Sequence, residues 1–499
     1  MHILTDILFL IPLLLPLVCG AALLVTRRQT GALKKIAVLL PPLSMAVCAA
    51  CLHFFFPDAQ TVTLLRLGEG VAFTLKGDAL GFFFALLMGA VWFFAALYAL
   101  SQMGHEEGTS AFLAFFAMAP AALWGLCCGG TMVTYYLFLE MLTLLSVPLV
   151  IHGGRGEAVA AGLKFLIYSV LGAGLALLGM VMLRPALGGY ELQGMGRLLD
   201  GAMPVGMGLA MGLLMILGFG AKAGLYPLHG WLPTAHPVAP SPASAVLSGV
   251  LTKAGVLGMI RTVYCFIGAD ALRGTWVQTA AVALSLLTIL MGSVLAYGEK
   301  NMKRRLAYST VSQVSYLVLG LMTLTPAGLA GSLIQAVVHS TAKTVLFLSA
   351  GKVLHHQHVK EVSGYRGMGK IYPITMGCFT LASVALVGLP PLAGFTGKWF
   401  LAQGALASGL APWLQVTAIV VLLVSALLTA GYLFPPAAAA FFPGDDVPRE
   451  QEERFSPVLD KTHGGETWAI VLVTLLLLIF SVYTLTASDP LMALTAGLM

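Results

Sequence analysis

The sequence predicts an all-α membrane protein that crosses the bilayer about fourteen times. Hydrophobic residues make up 59% of the 499 residues and charged residues only 10%, whereas a soluble domain has roughly 25% charged residues. Apolar runs of about 20 residues follow one another along the chain, which is the pattern of transmembrane helices. A transmembrane barrel is excluded, because its strands alternate apolar and polar residues over about ten positions.

Fourteen spans are predicted along the chain. In order they are 5–26, 36–56, 78–101, 110–128, 130–151, 160–183, 204–226, 241–267, 275–297, 305–323, 327–354, 371–403, 412–435 and 467–488. The stretch from Gly444 to Glu466 alternates acidic and basic residues, which indicates a cytoplasmic loop before the last helix.

Proline and glycine interrupt the seventh and twelfth spans. Gly224–Pro233 contains two prolines near the end of the seventh span, and Gly388–Gly397 contains two more in the middle of the twelfth. Proline removes a backbone donor and breaks the helix, and bilayers tolerate freed backbone groups only where protein or water satisfies them. Two broken helices five spans apart are the pattern of inverted five-helix repeats with an ion path at the breaks.

The distribution of positive charge predicts the orientation. Most Lys and Arg residues are assigned to loops on one side of the membrane, among them Arg155 and Lys352, the latter two residues before the predicted end of the eleventh span. The opposite loops carry only Arg66, Lys76, Arg184, Arg197 and Arg273. The positive-inside rule then places both termini outside the cytoplasm. The same rule explains the net charge of +6 without a nucleic-acid partner.

Charged residues inside the predicted spans are the main functional signal. Each costs at least about 2.5–3.5 kcal/mol at the centre of a helix, so we expect them to face the bundle interior with partners or water. The set consists of Glu140, Lys164, Lys222, Lys253, Arg261, His339, Lys343 and Lys398.

Six of these residues form the predicted site. Glu140 is the only carboxylate deep in the apolar region, and we expect it to pair with Lys222 and set how firmly that lysine holds its proton; a purely structural ion pair is the alternative. His339 and Lys343 are four residues apart, so they share one face of a helix. Lys253 lies among small residues between the two halves, and Lys398 directly follows the second break.

Other polar residues carry weaker signals. Lys164 and Arg261 lie near span ends, where their side chains are expected to extend to the interface. His355, His356 and His358 are interpreted as a solvated loop rather than a metal site. Cys48 and Cys51 have CxxC spacing inside a predicted helix without a second pair, which favours packing over metal binding. We therefore predict neither a metal nor a cofactor.

Four segments together resemble a known family. They are Gly218–Lys253, Lys303–Ser309, His339–Lys343 and Gly388–Lys398, with Gly-Phe-Gly-Ala-Lys222 and Trp-Leu-Pro-Thr-Ala-His236 in the first. These segments resemble the antiporter-like subunits that respiratory complex I, Mrp-type Na⁺/H⁺ antiporters and membrane-bound hydrogenases share. The resemblance covers roughly residues 80–435.

This resemblance implies a fold and roles for single residues. It implies fourteen helices with two inverted five-helix units, which we place at 104–270 and 271–436 between an N-terminal part, 1–103, and a C-terminal part, 437–499. By motif, Glu140 and Lys222 fall at the family's glutamate–lysine pair, Lys253 at its central lysine and Lys398 at its terminal charged position. Lys398 and the end of the chain after span fourteen make it more similar to the D-type member of the Mrp antiporters or its hydrogenase equivalent.

We therefore expect a proton-translocating subunit, with Na⁺/H⁺ antiport as a variant, in the cell membrane. Family members act inside assemblies, so the expected partners are other membrane subunits, including related antiporter-like subunits. A redox-driven dehydrogenase or hydrogenase complex and a redox-independent Mrp-type antiporter remain alternatives, and no redox centre is expected in this chain. A transporter of an organic solute would need a shaped polar cavity at the breaks, and a purely structural anchor would leave the buried charges unexplained.

Overall fold

The computed structural model describes most of the chain. Its residues are 2–25, 31–56, 61–68, 71–103, 109–154, 156–192, 203–444, 464–486 and 489–498. The predicted loop Gly444–Glu466 lies almost wholly outside these residues, as do Arg155 and Arg197.

The first half of the chain consists of long helices and one hairpin. These elements are α1 (His2–Val25), α2 (Ala32–Phe55), β1 (Val62–Gly68), β2 (Val71–Leu75), α3 (Ala79–Met103), α4 (Ser110–Cys127), α5 (Met132–Ile151), α6 (Gly156–Leu187), α7 (Val205–Ala223) and α8 (Leu232–Val238). β1 and β2 pair antiparallel, with Val62 opposite Leu75 and Gly68 opposite Val71. The sequence analysis did not predict this hairpin, since the segment is too short and too polar to resemble a span.

The second half begins with a composite helix. α9 (Ser241–Val246), a π-helical segment (Leu247–Leu251), α10 (Thr252–Ile260) and a second π-helical segment (Arg261–Ile267) run on without a break. The remaining helices are α11 (Ala269–Leu272), α12 (Trp276–Gly298), α13 (Met302–Met322), α14 (Pro326–Gln357), α15 (Met368–Ile371), α16 (Pro373–Val387), α17 (Ala393–Leu406), α18 (Pro412–Phe441), α19 (Gly464–Thr486) and α20 (Asp489–Ala496), with a 3₁₀ turn at Val362–Tyr365.

Both predicted helix breaks are present. α7 ends at Gly224 and α16 ends at Gly388, and each glycine has a positive φ, 88° and 86°. Glycine without a Cβ adopts this left-handed conformation readily, so it closes a helix where the chain must turn. Both sites are followed by the proline-containing segments that the sequence singled out.

Twelve helices in the described ranges are long and apolar enough to cross a membrane. Two further predicted spans correspond to α13, which carries Lys303, Arg304 and Arg305 in its first turn, and to α16 with α17. α16 and α17 have 15 and 14 residues, so each is too short to cross a membrane alone. The protein is thus an all-α multi-pass membrane protein apart from its hairpin.

α14 occupies the centre of the bundle. The apolar window of this 32-residue helix is completely buried, and α14 packs against α3, α13, α16, α17 and α19. Thr325 caps its start by accepting a hydrogen bond from Gly328 N at 3.1 Å, and Pro326 supplies a fixed φ in the first turn. By contrast, less than half of the corresponding windows of α1, α6, α18 and α19 is buried. The buried charges on α14 therefore lie far from lipid.

Candidate functional site

Lys222 is held by neutral groups at the end of α7. The side chain is 2% exposed, and its Nζ donates to Thr143 Oγ1 at 2.8 Å and to Ser169 Oγ at 3.3 Å. The ring of Phe165 lies 4.5 Å from the ammonium group. Glu140 lies on α5, one turn before Thr143. Its Oε1 is buried and has no hydrogen-bond partner in the described part of the chain. The expected direct Glu140–Lys222 ion pair is therefore not formed in this state.

Lys253 and His339 meet in the middle of the protein. Both side chains are fully buried, and Lys253 Nζ contacts His339 Nδ1 through a short hydrogen bond. Lys253 also donates to Ser248 O at 2.9 Å, within its own composite helix. Close approach of this helix to α7 depends on Gly255, because a Cβ there would lie only 2.5 Å from Ala223 N. The packing thus brings α10 beside the end of α7.

Lys343 and Lys398 both donate to backbone carbonyl groups. Lys343, one turn after His339 on α14, donates to Leu306 O at 3.0 Å. Lys398 on α17 donates to Leu386 O and Val387 O at 2.9 and 2.7 Å. These two carbonyl groups belong to the end of α16, where the helix break removes their usual partners. A cation near a helix C-terminus is also favoured by the helix dipole.

Neutral amide side chains occupy the space between α13, α14 and α17. Gln335 Nε2 donates to Gln313 Oε1 at 3.0 Å. Gln335 Oε1 lies next to Gly397, and a Cβ on that glycine would lie only 2.9 Å from this oxygen. Gly397 directly precedes Lys398. The sequence analysis overlooked both glutamines, although each is a fully buried polar residue inside a predicted span, which is itself a signal in a membrane protein.

His236 and Lys303 were also overlooked as individual site residues. His236 is completely buried, stacks on Phe347 with ring centroids 4.5 Å apart, and has two ring nitrogens without a partner among the described residues. Lys303 Nζ donates to Ala239 O at 2.9 Å and lines a cavity of about 260 Å³ that is also lined by His355. Lys303 therefore brings a titratable group to a cavity, whereas His236 is enclosed in the interior.

Arg261 does not extend to the interface, contrary to the prediction. Its side chain is 1% exposed and forms a two-pronged ion pair with Asp78, which directly precedes α3. The NH2 group lies 2.8 Å from Asp78 Oδ1, and Gly81 N donates to the same oxygen at 2.7 Å. Burial alone would raise the pKa of Asp78, but the Arg261 guanidinium holds it below its ordinary value.

The histidine-rich segment is only partly the solvated loop that was predicted: His355 and His358 are exposed, but two of the three histidines lie in a helix. His355 and His356 belong to the last turn of α14, and His356 Nε2 lies 3.1 Å from Glu466 Oε2 on α19. Lys352, assigned to a loop from sequence, is fully buried and donates to Thr467 Oγ1 at 2.6 Å. Within the described ranges, no group of three or more His, Cys, Asp or Glu side chains could hold a metal ion.

Comparisons with known proteins identify the family of this chain. Residues 130–429 match the family described as NADH:quinone oxidoreductase/Mrp antiporter, TM. NADH-quinone oxidoreductase subunit N of Desulforudis audaxviator is 35% identical over 385 residues, 77% of this chain and 75% of the relative. The D-type component of the Na(+)/H(+) antiporter of Bacillus subtilis is 23% identical over 420 residues, 84% of each chain.

A solved structure resembles nearly the whole chain. It is a chain of respiratory complex I from Thermus thermophilus, with a TM-score of 0.80 and 25% identity, covering 98% of this chain and 99% of that one. The family match covers more than half of the chain and includes Lys222, Lys253, His339, Lys343 and Lys398. The protein therefore belongs to the NADH:quinone oxidoreductase/Mrp antiporter family of membrane proteins.

Proposed function

We propose that this chain is a proton-translocating subunit of a multisubunit membrane complex. One observation carries the proposal: the buried cations of Lys222, Lys253 and Lys343 and the half-buried Lys398 bind hydroxyl groups, carbonyl groups and a histidine ring, with no carboxylate within ion-pair distance in the described residues. Unneutralised charges in a membrane interior are costly, and they mark ion paths and proton relays.

The chemistry of lysine supports protons as the transported species. A buried lysine can lose its proton and become neutral, which an arginine in a protein does not do. Hydroxyl and imidazole partners can donate as well as accept, so they can stabilise both the charged and the neutral lysine. In the proposed sequence, a proton passes from Lys222 to Lys253, then through His339 to Lys343 and Lys398.

The architecture in this proposal has fourteen crossings. We include α13 and the α16–α17 pair as crossings, and we assign one inverted five-helix repeat to 104–270 and the other to 271–436. The matching glycine-closed breaks after α7 and α16 support this symmetry. The excess of positive residues on one side supports a cell-membrane location with both termini outside the cytoplasm.

The comparisons support a redox-driven parent complex. The NADH-quinone oxidoreductase relative is 35% identical to this chain over the aligned residues, against 23% for the Bacillus subtilis antiporter relative. We therefore favour an assembly of the NADH-quinone oxidoreductase type, in which other subunits carry the redox centres. A redox-independent Mrp-type assembly, with Na⁺ as a coupled ion, is the alternative. An absorption spectrum of the purified complex would distinguish the two assemblies, because only the redox-driven one should show flavin or iron–sulfur bands.

Proton flux in vesicles tests the proposal. The complex containing Glu140→Ala or Lys222→Ala should assemble with wild-type subunit content but show little or no proton uptake, measured with a pH-sensitive dye in inverted membrane vesicles. Lys164→Ala is the matched control, because Lys164 Nζ lies over the ring of Tyr168 on the same helix and is not part of the proposed path. Normal uptake by an assembled Lys222→Ala complex would refute the proposed path.

A further inference from the structure

The surroundings of Lys222 contain a site with no assigned role. Thr143, Ser169 and Phe165 come from α5 and α6 and surround the ammonium group on α7. Thr143 is 1% exposed and Ser169 is 5% exposed. Glu140, one helical turn away on the same helix as Thr143, keeps a buried and unpartnered carboxylate oxygen. A buried cation thus binds two neutral hydroxyl groups although a carboxylate lies close by.

We propose that Thr143, Ser169 and Phe165 form a docking site that holds Lys222 away from Glu140, and that Lys222 releases its proton from this docked position. The lysine then has two positions one helical turn apart, one at Glu140 and one at the docking site. This inference rests on the proposed function and specifies how the Glu140–Lys222 pair would be opened.

The two hydroxyl groups have different hydrogen-bonding capacity. Thr143 Oγ1 already donates to Leu139 O at 3.0 Å, so its remaining capacity is to accept from Lys222. Ser169 makes no such donation among the described contacts, and its hydroxyl can turn. It can accept from the charged ammonium and donate to the neutral amine after the proton has left. The docking site therefore accommodates Lys222 both before and after proton release.

The partner in each position decides how firmly the proton is held. A carboxylate binds an ammonium group through a charge-assisted bond, which is roughly twice as strong as a neutral one. It cannot donate to a neutral amine. The ring of Phe165 adds a cation–π contact that favours the charged form on arrival. Lys222 should therefore keep its proton beside Glu140 and lose it more readily beside Thr143 and Ser169.

Isosteric substitutions test the docking site. Thr143→Val keeps the shape of the side chain and removes the oxygen, whereas Thr143→Ser keeps the oxygen and removes a methyl group. We expect proton uptake of the assembled complex to fall about tenfold or more in Thr143→Val, by loss of a hydrogen bond to a charged group, and to stay within about twofold in Thr143→Ser. Ser169→Ala should resemble Thr143→Val.

A second measurement reports on the position of Lys222. In Thr143→Val/Ser169→Ala, the lysine should settle beside Glu140, and the infrared carboxylate band of Glu140, assigned with Glu140→Gln, should shift. Wild-type uptake by this double variant would overturn the docking site, and so would an equal loss in Thr143→Ser and Thr143→Val at equal subunit content. The proposed function is tested separately: if Lys222→Ala is inactive while the double variant is normal, only the docking site fails.

Discussion

Replacing Lys253 by arginine separates two properties of this central side chain, its positive charge and its ability to lose a proton. Lys253 has no exposed surface and lies between Ser248 O and the ring of His339. Arginine keeps the positive charge in this place, but it is far harder to deprotonate. The reference pKa values of the two residue types, about 10.4 and 12.5–13.8, differ by about 2–3 units. At the same buried site, this gap corresponds to roughly 3–4 kcal/mol.

A cost of this size slows a step that needs the neutral side chain by roughly 100- to 1,000-fold. We therefore expect Lys253→Arg to assemble with normal subunit content and to lose proton uptake in inverted vesicles. The neutral Lys253→Met should also be inactive, since it cannot carry a proton at all. A fixed structural cation would tolerate arginine better than methionine. Near-normal uptake by Lys253→Arg would refute a relay through this residue.

Three further predictions concern the scaffold. Asp78→Asn should destabilise the protein at pH 7 in thermal unfolding, by about 2–3 kcal/mol, because it removes the partner of the buried Arg261 although the carboxylate itself is 44% exposed. Because Arg261 holds the pKa of Asp78 below its ordinary value, this contribution is complete above about pH 4 and is lost as the pH falls below it; an equal difference from wild type at pH 7 and pH 3 would contradict it. Gly255→Val should prevent assembly, since even a Cβ would lie 2.5 Å from the backbone of α7, whereas Gly174→Ala meets open space and should assemble normally. A cysteine introduced at Gly464 should be labelled only from the cytoplasmic side; labelling only from the other side would invert the proposed orientation.

The sequence predicted the helices and the buried cations for a simple physical reason. A charge in an apolar run of about 20 residues is costly, so it stands out without any knowledge of its neighbours. The structure does bury Lys222, Lys253 and Lys343 inside the bundle. The two helix breaks were predictable on similar grounds, because proline and glycine act on the backbone locally.

Partners that are distant along the chain could not be predicted. Arg261 near the end of a span looked like an interfacial residue, but its partner Asp78 lies 183 positions away. Thr143 and Ser169 were missed because hydroxyl residues are common in membrane helices, where they usually bond to their own backbone. Lys352 was assigned to a loop because the hydropathy of the sequence falls there. In the structure, its side chain is buried against α19 and donates to Thr467, more than one hundred positions later in the chain.

The two π-helical segments are the places where the composite helix can lose a residue without losing its register. Each lies between Lys253 and one end of that helix, at Leu247–Leu251 and Arg261–Ile267. A π turn accommodates one residue more than an α turn between the same neighbours. Deleting a single residue from Leu247–Leu251 would therefore leave a regular α-helix with its two flanking parts nearly in register, whereas deleting one from the regular α-helix Thr252–Ile260 would rotate one part relative to the other by about 100°. Genetic screens should therefore recover one-codon deletions in Leu247–Leu251 more often than in Thr252–Ile260.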